Sequence, residues 1–210
     1  MDEFWAGQAV ESSWRLLQEL RKDFTFTLIG GWAVFLWTKA LKSKNIDFIA
    51  DFKTIEGLRN RFPSLSKNER LRKYEIKLQD FDVDVYAPFY SKLALPAEEV
   101  ISKYSAESEG FALAKPEALL VLKQGAYADR KNSAKGRKDA IDILSLCLNA
   151  GIDWKAYEQI LEEHGKRAYA MELARLIGSF SKDDLHYLSV GFQEFNKWKK
   201  KTIPRLKAMG

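Results

Sequence analysis

Apolar residues recur at roughly helical spacing through residues 5–23. Trp5, Ala9, Trp14, Leu16, Leu17 and Leu20 stand among charged neighbours there, which predicts an amphipathic helix. The period then changes. Phe24-Thr-Phe-Thr-Leu-Ile29 is a β-rich run closed by Gly30-Gly31, and 32–41 returns to helix-like composition. A second short strand is expected from Ile46 to Ala50, with Asp47 as its polar interruption, and a helix over 53–61. Tyr74–Leu78 and Phe81–Tyr86 both alternate around Gln79-Asp80, which predicts a hairpin. Short strands are expected near 104–113.

Beyond that point the pattern is helical only. Runs at about 116–130, 134–149, 154–164, 167–180 and 183–201 are punctuated by Gly151, Gly165 and Ser181, and Pro116 stands at a first-turn position that tolerates proline. The chain therefore reads as a mixed α/β half, 1–114, followed by an all-helical half, 115–210, that ends in a basic tail.

Composition narrows the picture. With 210 residues, 46% hydrophobic and 13% aromatic, the chain can bury a real core, which excludes global disorder. Its single cysteine, Cys147, forbids an internal disulfide and lies in the apolar run Ile-Leu-Ser-Leu-Cys-Leu, where a core thiol is expected. Two histidines far apart, His164 and His186, exclude a structural zinc site of the usual four ligands. No apolar run approaches a membrane span, and the acidic start is wrong for a secretory signal, so a cytoplasmic protein is expected. The net charge of +5 is unevenly placed. Residues 197–210 carry six bases and no acid, 59–77 seven bases and two acids, and 123–138 six bases and one acid. Such clusters can meet phosphates, as in an RNA partner, although solvated helix faces look the same.

Two features carry chemistry. Gly30-Gly31 falls between a strand and a helix, where backbone can approach a ligand and a helix N-terminus can face an anion. Acids stand on short strands: Asp47 on one, Asp82 and Asp84 on another, two apart and hence on one face. Carboxylates over an apolar layer suit a hard cation such as Mg²⁺.

The order of these features resembles the DNA polymerase β-like nucleotidyltransferase superfamily. Leu28-Ile29-Gly30-Gly31-Trp32 stands for its strand–Gly-Gly–helix segment, Asn45-Ile46-Asp47-Phe48 for its Asp-x-Asp strand, and Val83-Asp84-Val85 for its third carboxylate. Pro116 to Lys123, Arg130, and Lys138-Asp139 followed by Asp142 resemble the segment after the catalytic core in AbiEii-like minimal nucleotidyltransferases. The resemblance implies a small mixed sheet flanked by helices. It implies transfer of a nucleoside monophosphate from a nucleoside triphosphate to a hydroxyl on RNA, a tRNA end or a protein side chain. Mg²⁺ or Mn²⁺ would be held by Asp47, Asp84 and Asp82. Gly30 and Gly31 would approach the triphosphate, with Lys123, Arg130 and Lys138 as candidate phosphate partners. Some relatives act as toxins, which implies an antitoxin-like protein partner.

One position departs from the pattern. Asn45 occupies the place of the first catalytic Asp, so the site has one charge fewer. Either Asp82 or Asp51 supplies the missing carboxylate, Asp82 being favoured because it shares a face with Asp84, or the enzyme works slowly or with one metal. The competing reading is a degenerate module of the same fold that binds nucleotide or RNA with little turnover.

Overall fold

The computed structural model describes residues 7–188 and 190–210. Trp5 and the start of the expected first helix lie outside them. The chain divides into two compact units between Lys115 and Pro116.

The first unit begins with helix α1 (Gly7–Asp23), strand β1 (Thr27–Ile29), helix α2 (Gly30–Thr38), strand β2 (Ile46–Ile49) and helix α3 (Phe52–Arg61). Strands β3 (Ser66–Asn68), β4 (Lys73–Lys77) and β5 (Asp82–Tyr86), helix α4 (Ala97–Ser102) and strands β6 (Ser105–Ser108) and β7 (Phe111–Ala114) complete it. The strands form one mixed sheet in the order β3-β4-β5-β2-β1-β7-β6. β1 runs parallel to β7 and β2 parallel to β5, while the other neighbours are antiparallel.

Side chains alternate across a sheet, so register sorts them into rows. One row runs Leu113, Leu28, Phe48, Val85, Tyr74. All five are buried, and Phe26 stacks on Phe48 with ring centroids 4.5 Å apart. The row one residue along faces the other way and runs Ile29, Asp47, Asp84, Glu75, Ser66. The apolar row fixes the register: a slip of one residue would put the carboxylates into the core.

Helix α2 is anchored by two indoles. Trp32 is buried, donates from Nε1 to Ser13 Oγ at 2.9 Å, and packs on Trp14 with centroids 4.9 Å apart. Trp37 donates to the Ala114 carbonyl at 2.9 Å. These bonds satisfy two indole N–H groups that burial would otherwise leave costly, and they tie α2 to α1 and to the end of β7.

The second unit contains α5 (Pro116–Arg130), α6 (Ala134–Asn149), α7 (Trp154–Glu163), α8 (Ala168–Ser179), a 3-10 turn (Asp183–Tyr187) and α9 (Phe192–Met209). The mixed α/β architecture and the helical second half agree with the sequence reading. Cys147 is buried, and burial pushes its thiol well up, as expected of a core residue. Two differences have physical causes. The expected run 183–201 breaks before Gly191, the N-cap of α9. The basic tail is the continuation of that helix, with Phe195, Thr202, Leu206 and Met209 buried along one face. Lysines on the exposed face mask this stripe in a charge count, and Pro204 lies on the solvent side, where water can satisfy the carbonyl it leaves without a donor. Among the described residues no helix is long and apolar enough to cross a membrane.

Candidate active site

The site is built where β1 hands over to α2. Gly30 has φ +69°, a left-handed conformation that a side chain disfavours. A Cβ there would also lie 2.3 Å from Asp47 Oδ2 and 2.6 Å from Asp47 Cβ. The first glycine is thus required twice, by its dihedral and by the carboxylate packed on it. Gly31 is buried in the first turn of α2, and no side chain caps that turn at Ile29. The helix N-terminus therefore brings its partial positive charge beside Asp47.

Register places Asp84 of β5 directly beside Asp47 of β2. Asp84 in turn faces Glu75 of β4. Lys73, two residues before Glu75 on the same face, donates from Nζ to Asp84 Oδ2 at 2.6 Å and to Glu75 Oε1 at 2.9 Å. The three side chains are only 12–16% exposed. Asn68 Nδ2 donates to the other oxygen of Glu75 at 3.1 Å. Burial and the neighbouring charge of Asp47 push the Asp84 carboxyl up to about 6, against the pull of Lys73. Lys73 itself is held above its ordinary value by the two carboxylates, despite burial.

Asn45 sits one residue before β2, and its Oδ1 accepts the backbone N–H of Asp82 at 3.2 Å. The amide that the resemblance sets in the first acid's place is thus tied to the neighbouring strand. Asp82 shares the face of Asp84, at the start of β5 and opposite Lys77. Asp51 serves elsewhere. It caps α3, accepting from Thr54 N at 2.7 Å, and this bond holds its carboxyl below the usual range.

The pattern of residues alone gives Glu75 no role and counts Lys73 only within a basic stretch. A signal is nevertheless present: a two-residue turn at 79–80 puts Leu78 opposite Phe81 and therefore Glu75 opposite Asp84. The Leu78 N–H to Phe81 carbonyl bond of 3.1 Å closes that turn.

The donor chemistry fits a small hard cation. Mg²⁺ commonly takes one or two carboxylates, keeps waters and draws other ligands from phosphate. Asp47 and Asp84 offer such a pair, pressed together at an electrostatic cost that a cation would relieve. Among the described residues no group of three or more His, Cys, Asp or Glu is arranged to hold a metal by itself.

The other candidate residues lie in the second unit. Lys123 of α5 is buried and donates to Asp142 Oδ2 at 2.6 Å and Asp139 Oδ1 at 3.2 Å, both on α6. Arg130 grips Asp139 through Nε and Nη2 at 2.7 and 3.1 Å. Together these two cations hold the Asp139 carboxyl below its ordinary value despite burial. Lys138 is half-buried on α6 beside these pairs in sequence. In the first unit's basic stretch, Arg61 is paired with Glu19 and Asp23, and Lys67 with Glu69.

No protein-family model matches the sequence, and no curated protein matches it. Three solved structures are similar in part. JHP933 from Helicobacter pylori is 16% identical, with 97% of this chain and 90% of that chain covered and a TM-score of 0.46. An antigenic nucleotidyltransferase-like protein from Paracoccidioides brasiliensis is 14% identical, with 80% and 94% covered and a TM-score of 0.38. ANT(2")-Ia in complex with adenylyl-2"-tobramycin is 13% identical, with 79% and 98% covered and a TM-score of 0.48.

Proposed function

We propose that the chain is a metal-dependent nucleotidyltransferase that moves a nucleoside monophosphate from a nucleoside triphosphate to a hydroxyl. The observation that carries this reading is the contiguity of Gly30, Asp47 and Asp84: a glycine backbone at a helix N-terminus, packed on one carboxylate of a side-by-side pair. Such a place receives polyphosphate and the cation that accompanies it.

Asp47 and Asp84 would hold Mg²⁺ or Mn²⁺. When bound, that ion would neutralise phosphate charge and favour in-line displacement at the α-phosphorus. Gly30 and Gly31 add no side chain of their own, so phosphate can approach the backbone of the turn beside Asp47. The acceptor oxygen bonds to the α-phosphorus, the bond to the bridging oxygen breaks, pyrophosphate leaves and the hydroxyl proton passes to the carboxylate row. Asn45 keeps the strand ends in register through Asp82 N–H and adds no charge.

The nature of the acceptor, RNA or protein, follows from the family resemblance, as do the toxin role and the antitoxin-like partner. The alternative, a nucleotide-binding module with little turnover, is favoured by Asn45. Titration of the protein with each nucleoside triphosphate, with and without Mg²⁺, tests the reading, with pyrophosphate release as the readout. Metal-dependent binding and slow release support transfer. Binding without release supports the module, and no binding at all removes both.

A further inference from the structure

We propose that Lys73 is the resident counter-ion of the carboxylate row: it holds Asp84 and Glu75 together and yields them when a divalent cation binds. The inference rests on the reading of the site as a cation–triphosphate site and assigns roles to two residues outside the resemblance.

Lys73 Nζ lies 2.6 Å from Asp84 Oδ2. An ammonium at that distance engages an oxygen that a cation would need as a ligand. Three carboxylates, Asp47, Asp84 and Glu75, adjoin in one row, and Lys73 bridges two of them, so it supplies positive charge that so crowded a row requires. Glu75 stays in place if Lys73 leaves, because Asn68 holds its second oxygen at 3.1 Å. Lys73 can leave: it is the first residue of β4, just past Arg72 at φ +50°, and its ammonium rides on a flexible four-carbon stem. Once displaced, the ammonium remains beside the site as a point charge for a phosphate oxygen. Glu75 then becomes a carboxylate beside Asp84, in compensation for the charge that Asn45 lacks.

The test is Mn²⁺ binding to the purified protein without nucleotide, followed by the electron-spin resonance of free Mn²⁺. Lys73→Met and Lys73→Gln, shown folded by their melting curves, should each bind Mn²⁺ about tenfold more tightly than wild type, because the competing charge is gone. Lys73→Arg should remain close to wild type. Equal or weaker binding in both neutral variants overturns the inference. If neither neutral variant folds, the structure of wild type with Mn²⁺ and a non-hydrolysable triphosphate decides. Lys73 Nζ should then lie out of hydrogen-bond reach of Asp84, and a contact still near ~3 Å overturns the inference. The two readings fail separately. Wild type that binds Mn²⁺ but no triphosphate sinks the transfer reading while the Lys73 comparison stands. Wild type that binds triphosphate, with neutral variants no tighter for Mn²⁺, sinks the Lys73 role alone. Absence of nucleotide-free Mn²⁺ binding in every variant overturns the Lys73 role alone and leaves the transfer reading to the triphosphate titration.

Discussion

Asp47 and Asp84 lie side by side in register on parallel strands, and each raises the cost of the other's charge. A fold gains nothing in stability from two adjacent negative charges, which is why we assign the pair to a ligand. If the pair holds the catalytic cation, Asp47→Asn and Asp84→Asn should each lower transfer on the order of a hundredfold or more, the scale of removing one preorganised charge. Steady-state rates at saturating triphosphate would show this. Both variants should melt no lower than wild type.

The titration of Asp84 gives a pH signature. Its folded carboxyl stands at about 6 against an ordinary value of 3.8, so the folded state keeps a proton that the unfolded chain has released. Stability from this group is therefore present at low pH and is lost as pH rises from about 4 through 6. Denaturant midpoints should fall more steeply between about pH 4 and 6 in wild type than in Asp84→Asn. Mn²⁺ affinity should move the opposite way, weakening below pH 6 as the carboxylate protonates.

Gly30→Ala adds a Cβ to a left-handed residue and drives it to within 2.3 Å of Asp47 Oδ2. Strain at such a position costs about 1–3 kcal/mol, and the clash adds to it. The variant should unfold at lower urea and bind triphosphate more weakly, because Asp47 must move.

In the second unit, Lys123 is the shared partner of two carboxylates that are almost fully buried. Lys123→Met leaves those charges short of a counter-ion and should cost about 3–5 kcal/mol. Loss of helical circular dichroism at lower denaturant would register it. The double variant Lys123→Met with Asp142→Asn should recover part of that loss.

Phe89 is 83% exposed and has φ +59°, an outlier for a bulky residue. Phe89→Gly should raise stability by about 1 kcal/mol, read as a shift of the urea midpoint, since it removes backbone strain and little packing.

Much of the site is legible in the order of residues. The switch from strand to Gly-Gly to helix locates the turn, and the alternation of 81–86 puts Asp82 and Asp84 on one face. Glu75 and Lys73 are harder to find because their role depends on which residues face each other across β4 and β5, and the hairpin's turn has to be carried through to register. Asp51 shows the converse: an acid near the motif is a helix cap, a short-range role that an Asp before Phe-Lys-Thr announces. Lys123 follows an apolar run, which foretells burial, but its partners come from a different helix. The basic tail misleads because charge hides a buried stripe on α9. Truncation after Asn196 would remove Thr202, Leu206 and Met209 from a core, so the segment is structural.

The most direct measurement is transfer of label from an α-phosphate-labelled nucleoside triphosphate, with Mg²⁺ or Mn²⁺, to total RNA or protein. Wild type should leave label on an acceptor, chelation of the metal should abolish it, and both Asp47→Ala and Asp84→Ala should lose it while remaining folded. Transfer that persists in both variants would contradict the assignment of the carboxylate pair, and no transfer by wild type to any acceptor would contradict the enzyme.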